Sequence, residues 1–439
     1  MITHPFRSIL GPIPDHWDVV PLRAVLARSA SGDWGDERGE MSVQVLRSTN
    51  FTADRTLDFT DVARRWFSAE RASRFDVRAG DFLLERSGGG PSQPVGRLVR
   101  VAADLDGFGY SNFVQLLRIH DGEMVPDFVG WCLFELHRSG TIERLQHQTT
   151  QMRNLDFRDY LEMRLPRPPL DAQARIAARI SAADAAVRRL SRAVQAVGQL
   201  RTTLIGHLLT RGAPDRHDEW LPTKVGVTPA VWEIVPLVAI ADIEGGVALN
   251  TDRAPRLRPH RYLTVVNVQR GTISENEPRY LELWESEIPR RLLEPGDILV
   301  VEGHADSSEI GRAALVNEHE SGFAYQNHLF RVRVSDASVD PRFVVHALNS
   351  EYARRHWAAV SNTSSGLSTI NCRQLRRLLI PKPTLEEQRA ILRFIDASER
   401  ALLEVTRQRA SAAAVFHALL RRTLTGSTGR MPIPEVIPA

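Results

Sequence analysis

The chain is written twice. Pro14, Trp17, Val20, Pro21 and Leu22 return as Pro229, Trp232, Val235, Pro236 and Leu237, a shift of 215 residues that holds almost from end to end. Gly96-Arg97 returns as Gly311-Arg312, and Tyr110 and Asn112 return as Tyr325 and Asn327. Pro166, Pro168, Leu170, Gln173 and Ile176 come back as Pro381, Pro383, Leu385, Gln388 and Ile391. Between these anchors the register slips by a residue or two, so that Gly80-Asp81 matches Gly296-Asp297. A period this long is a domain duplication rather than a solenoid. A shared frame with unrelated inserts is what two copies of one scaffold look like when they serve two different ligands.

Each copy opens on a proline, a tryptophan three residues on and a short apolar run. Asp81-Phe-Leu-Leu before Ser87-Gly-Gly-Gly, and Asp297-Ile-Leu-Val-Val before Gly303, read as buried strands ending in turns. Amphipathic stretches at Phe128–Arg144 and Phe343–Val360 read as helices. Pro166-Arg-Pro-Pro and Pro381-Lys-Pro then stop the preceding element. Beyond them lie long proline-free segments with heptad seams. In the first, Ile176, Ala183, Leu190, Val197 and Leu204 alternate with Ile180, Val187, Val194, Arg201 and Leu208. In the second, Ile391, Ser398, Val405, Ala412 and Leu419 face Ile395, Leu402, Arg409, Phe416 and Thr423. Arg201 and Arg409 interrupt the seams, either fixing register or snorkelling outward.

The expected fold is α/β (α+β). Two tandem globular bodies are joined by two long antiparallel coiled-coil helices about a pseudo-two-fold axis, one body at each end of a rod. The segments are 1–165 and 229–380 for the bodies, 166–211 and 381–426 for the helices, 212–228 for a linker and 427–439 for a disordered tail.

Hydrophobic content of 43% and charged content of 25% are ordinary for a globular chain. No apolar run approaches the roughly 18 residues that span a bilayer, and the N-terminus lacks the zones of a secretion signal. Cys132 and Cys372 are the only cysteines, which argues against a disulfide framework or zinc ribbon. The chain reads as cytoplasmic, with no membrane partner. A net charge of +3 leans toward an anionic partner. Only Lys224 and Lys382 among the 56 basic residues are lysines. A GC-rich genome alone would give that bias, yet it furnishes the chain with forked guanidinium donors suited to phosphate and guanine.

Motifs for catalysis are missing from the sequence. Neither lysine follows a glycine as a phosphate loop requires, and neither has an acid two residues before it as a nuclease site would. The 14 histidines form no zinc-binding pattern, so no metal site and no catalytic residue is expected.

Taken together, proline-x-x-tryptophan heading each half, Gly-Asp before an apolar strand, Gly-Arg, the central asparagine and the paired Pro-x-Pro-x-Leu-x-x-Gln-x-x-Ile boxes resemble the specificity subunits of type I restriction–modification systems, over residues 14–426. Ala172 in the first box departs from Glu387 in the second, at a helix start where an acid favours the dipole. The resemblance implies a non-catalytic subunit with two target recognition domains, each reading one half of a bipartite, asymmetric site on double-stranded DNA. It further implies helices that dock two adenine methyltransferase subunits, and restriction/translocase subunits as further partners. S-adenosylmethionine, ATP and Mg would belong to those partners, with no cofactor in this chain. An orphan specificity subunit, and a coiled-coil scaffold with two protein-binding heads, are the alternatives.

Polar side chains in the divergent loops are the candidates for DNA contact. In the first body they are Arg47, Ser48, Asn50, Arg86, Gln146, Gln148, Gln151, Arg153 and Asn154. In the second they are Asn267, Gln269, Arg270, His304, Ser307, Ser308, Asn362, Thr363, Ser364 and Ser365. Asn112 and Asn327 are read as structural, since a residue identical in two readers of different sequence is a poor source of specificity. Trp17 and Trp232 are read as core anchors by the same logic.

Overall fold

A computed structural model describes residues 10, 13–89, 94–149, 152–274, 277–364 and 367–425. The tail 427–439, expected to be disordered, lies outside them. The chain divides into two compact units, Met1–Ala193 with Thr406–Ala439, and Val194–Val405. The division falls within both long helices, so each helix belongs partly to each unit rather than forming a segment of its own.

In the first unit the strands Leu26–Ser31, Val114–Ile119, Phe82–Glu85 and Leu98–Arg100 form an antiparallel sheet in that order. In the second, Ala241–Gly245, Leu329–Val334, Ile298–Val301 and Ala313–Leu315 form a sheet of the same order and sense. A smaller sheet recurs as well. Met41–Leu46 lies between an antiparallel Ala63–Phe67 and a parallel Phe108–Tyr110. Pro259–Leu263 lies likewise between Arg279–Glu282 and Ala324–Tyr325. Each copy is clasped by pairing an early strand with a late one, Asp18–Pro21 with Arg164–Arg167 and Glu233–Pro236 with Leu379–Lys382.

The Gly-Asp pair before the central strand has a physical reason. Gly80 and Gly296 both turn the chain at φ +92°, a region that disfavours a Cβ. The next residue, Asp81 or Asp297, is buried and closes that turn by accepting from Arg78 N–H or Glu294 N–H at 2.8 Å. The same carboxylate holds a guanidinium from the neighbouring strand. Arg118 reaches Asp81 at 2.7 Å through both Nε and Nη2, and Arg333 reaches Asp297 at 2.6 and 2.7 Å. Those hydrogen bonds are the main reason both arginines are pushed above the ordinary guanidinium range. Removing either partner would strand a buried charge at a cost of about 3–5 kcal/mol.

The Pro–Gln–Ile boxes work through their glutamines. Gln173 is buried and donates to Pro168 O at 2.8 Å, while its carbonyl accepts from Val125 N–H at 2.8 Å. Val125 is the residue that caps the helix Pro126–Arg138. Gln388 repeats this, donating to Pro383 O and accepting from Asp340 N–H, each at 2.8 Å, with a further bond to Ser338 O. Asp340 caps the helix Pro341–Leu348. One side chain thus ties the root of each long helix, Leu170–Arg211 or Leu385–Thr425, to the start of a helix in the body it follows.

Within each unit the two long helices run antiparallel. Arg409 Nε donates to Ser191 Oγ at 3.1 Å in the first unit, and Arg201 lies 3.9 Å from Glu399 in the second. Ile176, Ala177, Ile180, Phe416, Leu419, Leu420 and Leu424 join the core of the first body. Leu204, Leu208, Leu209, Ile391, Leu392 and Ile395 pack with Trp232 and Phe343 in the second unit. The seam is buried at these ends, while Leu190, Val194, Val197, Leu402 and Val405 are only half-buried. Arg409 is exposed, whereas Arg201 is half-buried with Nε unpaired. A residue outside the expected seam is also buried there: Asp184 pairs with Arg188 and with Arg55 of the first body.

Three expectations are corrected. The stretch Phe128–Arg144 is a helix only to Arg138, followed by a separate short turn at Thr141–Leu145. Phe343–Val360 is two helices, because Ser350 caps a new one at Glu351 and Asn349 turns its amide to the backbone of Ala313. The linker 212–228 holds a hairpin, Trp220–Thr223 with Gly226–Pro229. Glu387 anchors its approach: one carboxylate oxygen meets His217 Nε2 at 2.6 Å and the other accepts from Trp232 Nε1 at 3.0 Å. Ala172 in the first box therefore lacks a buried tether, a larger difference than a helix-dipole contact.

Replacing Gln388 by alanine leaves the buried Asp340 N–H without its acceptor and removes three hydrogen bonds. At about 1–3 kcal/mol for an unsatisfied buried group, the melting temperature should fall by several degrees. Calorimetry of Gln388→Ala and Gln173→Ala should show comparable losses, whereas Gln148→Ala, on an exposed strand, should show none.

Candidate nucleic-acid interface

A third small sheet in each unit gathers most of the divergent polar residues. The central strand Phe82–Glu85 runs on through Arg86 into Ser87–Gly89, where it pairs with Met152–Leu155, itself paired with Gln146–Thr149. In the second unit Ile298–Val301 runs on through Glu302 into Gly303–His304. It pairs with Leu367–Thr369, which pairs with Asn362–Ser364. Equivalent backbone bonds seat both hairpins: Leu155 N–H donates to Arg86 O at 2.8 Å, and Ile370 N–H donates to Glu302 O at 2.9 Å. The anchoring is shared, and the side chains it presents are not.

Arg86 and Glu302 mark the contrast. Both stand at the junction between central strand and small sheet, and they carry opposite charges. Arg86 donates to Gln115 at 3.0 Å and lies 4.8 Å over the Phe157 ring, and burial pulls it below the ordinary guanidinium range. The Glu302 carboxylate meets His328 Nδ1 at 2.8 Å. Alignment of the copies at a shift of 216 residues sets these two positions opposite one another, a signal the search for polar loop residues passed over in Glu302.

The other candidates separate into two groups. Gln148 is exposed on the hairpin, and Arg153 and Asn154 lie half-buried on its second strand. Ser48 approaches the small sheet, its Oγ 3.7 Å from where a Cβ on Gly88 would stand. His304 lies on the second small sheet, accepting from Asp306 N–H at 3.0 Å, and Ser307 and Ser308 are exposed beyond it. The backbone of Asn362, Thr363 and Ser364 forms the outer strand. Gln151 and Ser365 lie outside the described residues.

The remaining candidates are committed to holding loops, and the expectation of base contact is corrected for them. Asn50 is buried: its carbonyl accepts from Arg47 N–H at 2.8 Å and its amide donates to Asp58 O and Asp61 O at 2.9 Å. Asn267 is its counterpart, accepting from Thr264 N–H at 2.9 Å and donating to Ser274 O at 3.0 Å. Arg47 binds Asp61, Gln146 is paired through both amide atoms with the backbone of Val95, and Gln269 donates to Val266 O. Arg270 donates to Ser308 O at 2.8 Å, and burial lowers its pKa. Arg97 and Arg312 serve both copies alike, each donating to a carbonyl of the same loop, Ser48 O or Val265 O, at 2.9 Å.

Among the described residues no cluster of His, Cys, Asp or Glu is placed to hold a metal ion, and no helix is long and apolar enough to cross a membrane. Asn267→Ala should lower the melting temperature, since it frees Thr264 N–H inside the protein at about 1–3 kcal/mol. Ser307→Ala should leave it within half a degree or so, as exposed substitutions do. Equal losses from both in a thermal unfolding series would refute this sorting.

Residues 229–412 match the family model of the type I restriction modification DNA specificity domain. The MjaVIII type I restriction enzyme specificity subunit of Methanocaldococcus jannaschii is 23% identical over 280 residues, 63% of this chain and 65% of that protein. The EcoKI specificity subunit of Escherichia coli K12 is 25% identical over 138 residues, 31% of this chain and 30% of that protein. The alignments thus span just under two thirds and just under one third of these curated relatives. A chain in a solved structure on complex assembly and conformational transition of the type I R-M system shares the fold, with a TM-score of 0.61 and 17% identity. That match covers 94% of this chain and 99% of the other. A specificity domain on one half and specificity subunits as relatives place this chain in the family of type I restriction–modification specificity subunits.

Proposed function

We propose that this chain is the DNA-reading subunit of a type I restriction–modification complex, each unit reading one half of an asymmetric, bipartite target. The observation that carries the reading is the pair Arg86 and Glu302: one frame presents a cation at a strand end in one copy and an anion in the other. Arginine suits the O6 and N7 acceptors of guanine, and a carboxylate accepts from the amino group of cytosine. Two such readers on one scaffold discriminate two different sequences. Base reading falls to the small sheets, with Gln148, Arg153 and Asn154 beside Arg86, and His304, Ser307 and Ser308 beside Glu302.

The chain contributes no catalytic residue in this proposal. The long helices, which both units share, dock two adenine methyltransferase subunits, and a restriction/translocase subunit joins that assembly. S-adenosylmethionine, ATP and Mg act in those partners. A methyltransferase that modifies adenine must take the base out of the stack, so the work of this chain is to choose where that happens.

Exchanging residues 14–165 for the matching segment of a relative tests the reading. Methylation mapping of a host carrying the hybrid should show one half of the modified sequence changed and the other half retained. A hybrid that alters both halves or neither, with methylation preserved, would overturn the two-reader proposal.

A further inference from the structure

Asn112 and Asn327 are identical in the two copies, yet the fold does not use their side chains. The turn that carries them is held by backbone alone, in the same way twice. Ser111 N–H donates to Leu46 O and Gln326 N–H to Leu263 O, both at 2.9 Å. On the other side, Phe113 O accepts from Arg86 N–H at 2.8 Å and His328 O accepts from Glu302 N–H at 3.0 Å. Gly32 and Gly246 press against the turn so closely that a Cβ on either would collide with its carbonyl oxygens, those of Tyr110 and Ser111 or of Tyr325 and Gln326. Neither asparagine has a positive φ, so the left-handed conformation that favours asparagine is not the reason for it. Asn112 is exposed and Asn327 half-buried, and among the described residues neither side chain makes a hydrogen bond. The earlier expectation that this pair satisfies backbone groups is thereby corrected. The contrast with Asn50 and Asn267, also shared but fully hydrogen-bonded, sharpens the point.

The flanking residues have diverged, Ser111 and Phe113 against Gln326 and His328, while the asparagine between them has not. It stands one residue from the carbonyl that seats Arg86 or Glu302, at the root of each small sheet. A ligand group that both copies meet at this place must be the same for both, whereas the bases differ. We propose that Asn112 and Asn327 are equivalent anchors, each donating its side-chain amide to the sugar–phosphate backbone of the duplex beside the base-reading hairpin. The inference rests on the DNA-reading function above and adds to it a sequence-independent contact. Asparagine is a common donor to phosphate oxygens, and such contacts fix register and orientation on the duplex without carrying sequence information.

The test uses the full chain assembled with its methyltransferase partner and fluorescent duplexes carrying the target or a mismatch in either half. Asn112→Ala and Asn327→Ala should each weaken binding about tenfold, as loss of a hydrogen bond to a charged group does. The loss should be the same on target and mismatched duplexes, leaving discrimination and melting temperature unchanged. Asn112→Asp keeps the shape but sets a carboxylate against phosphate, so it should bind more weakly than the alanine variant, and the gap should narrow as salt rises. Unchanged affinity in both alanine variants, a loss confined to one base preference, a fall in melting temperature, or loss of partner assembly with DNA affinity intact per complex would each overturn the inference. A wild-type complex that binds no duplex selectively would instead overturn the DNA-reading function on which the inference rests.

Discussion

Two buried glutamines hold the architecture together. Each long helix begins at a proline stop, and its first turn would be free to swing if nothing tied it to the body. Gln173 and Gln388 supply that tie by filling three roles at once. They satisfy a carbonyl in the proline segment, they satisfy the backbone N–H at the cap of a body helix, and they do so from a site closed to water. A buried amide has no competing partner in such a site, so its geometry is strongly specified. No shorter or apolar side chain provides both a donor and an acceptor at that reach.

From that rigid root the division of labour in each unit follows. The central strand is buried on both faces and fixed at its start by the Asp81–Arg118 or Asp297–Arg333 fork. Its far end runs out of the core into the small sheet, where only backbone bonds are needed to seat the hairpin. Side chains there are released from structural duty and differ between copies, most plainly at Arg86 and Glu302. A frame that spends its conserved side chains on turns, caps and forks leaves its surface free to diverge, which is the physical basis for reading two targets with one fold.

Much of this was legible in the sequence because the duplication acts as an internal comparison. The boxes, the Gly-Asp turns and the long helices stand at a fixed shift, and the strands Phe82–Glu85 and Ile298–Val301 are bare apolar runs. Asn50 and Asn267 were misread as base contacts because the local register slips to 217 residues, hiding that they are the same residue twice. The hairpin in the linker was not legible, since its stability comes from Trp220, His217 and the distant Glu387 rather than from local pattern. Asp184 was hidden for a similar reason: its partner Arg55 comes from a loop over a hundred residues earlier in the chain. The break at Asn349-Ser350 was signalled only by a serine cap inside an otherwise continuous amphipathic stretch. Which polar residues are free and which are committed depends on contacts across the fold, and composition carries no trace of them.

Selection of bound duplexes from a randomised library by the complex of this chain with its methyltransferase partner tests the central claim most directly. The account predicts enrichment of two short, unlike sequences separated by a spacer of constant length and arbitrary composition. Enrichment of a single continuous site, of a palindrome, or of no sequence at all would contradict it.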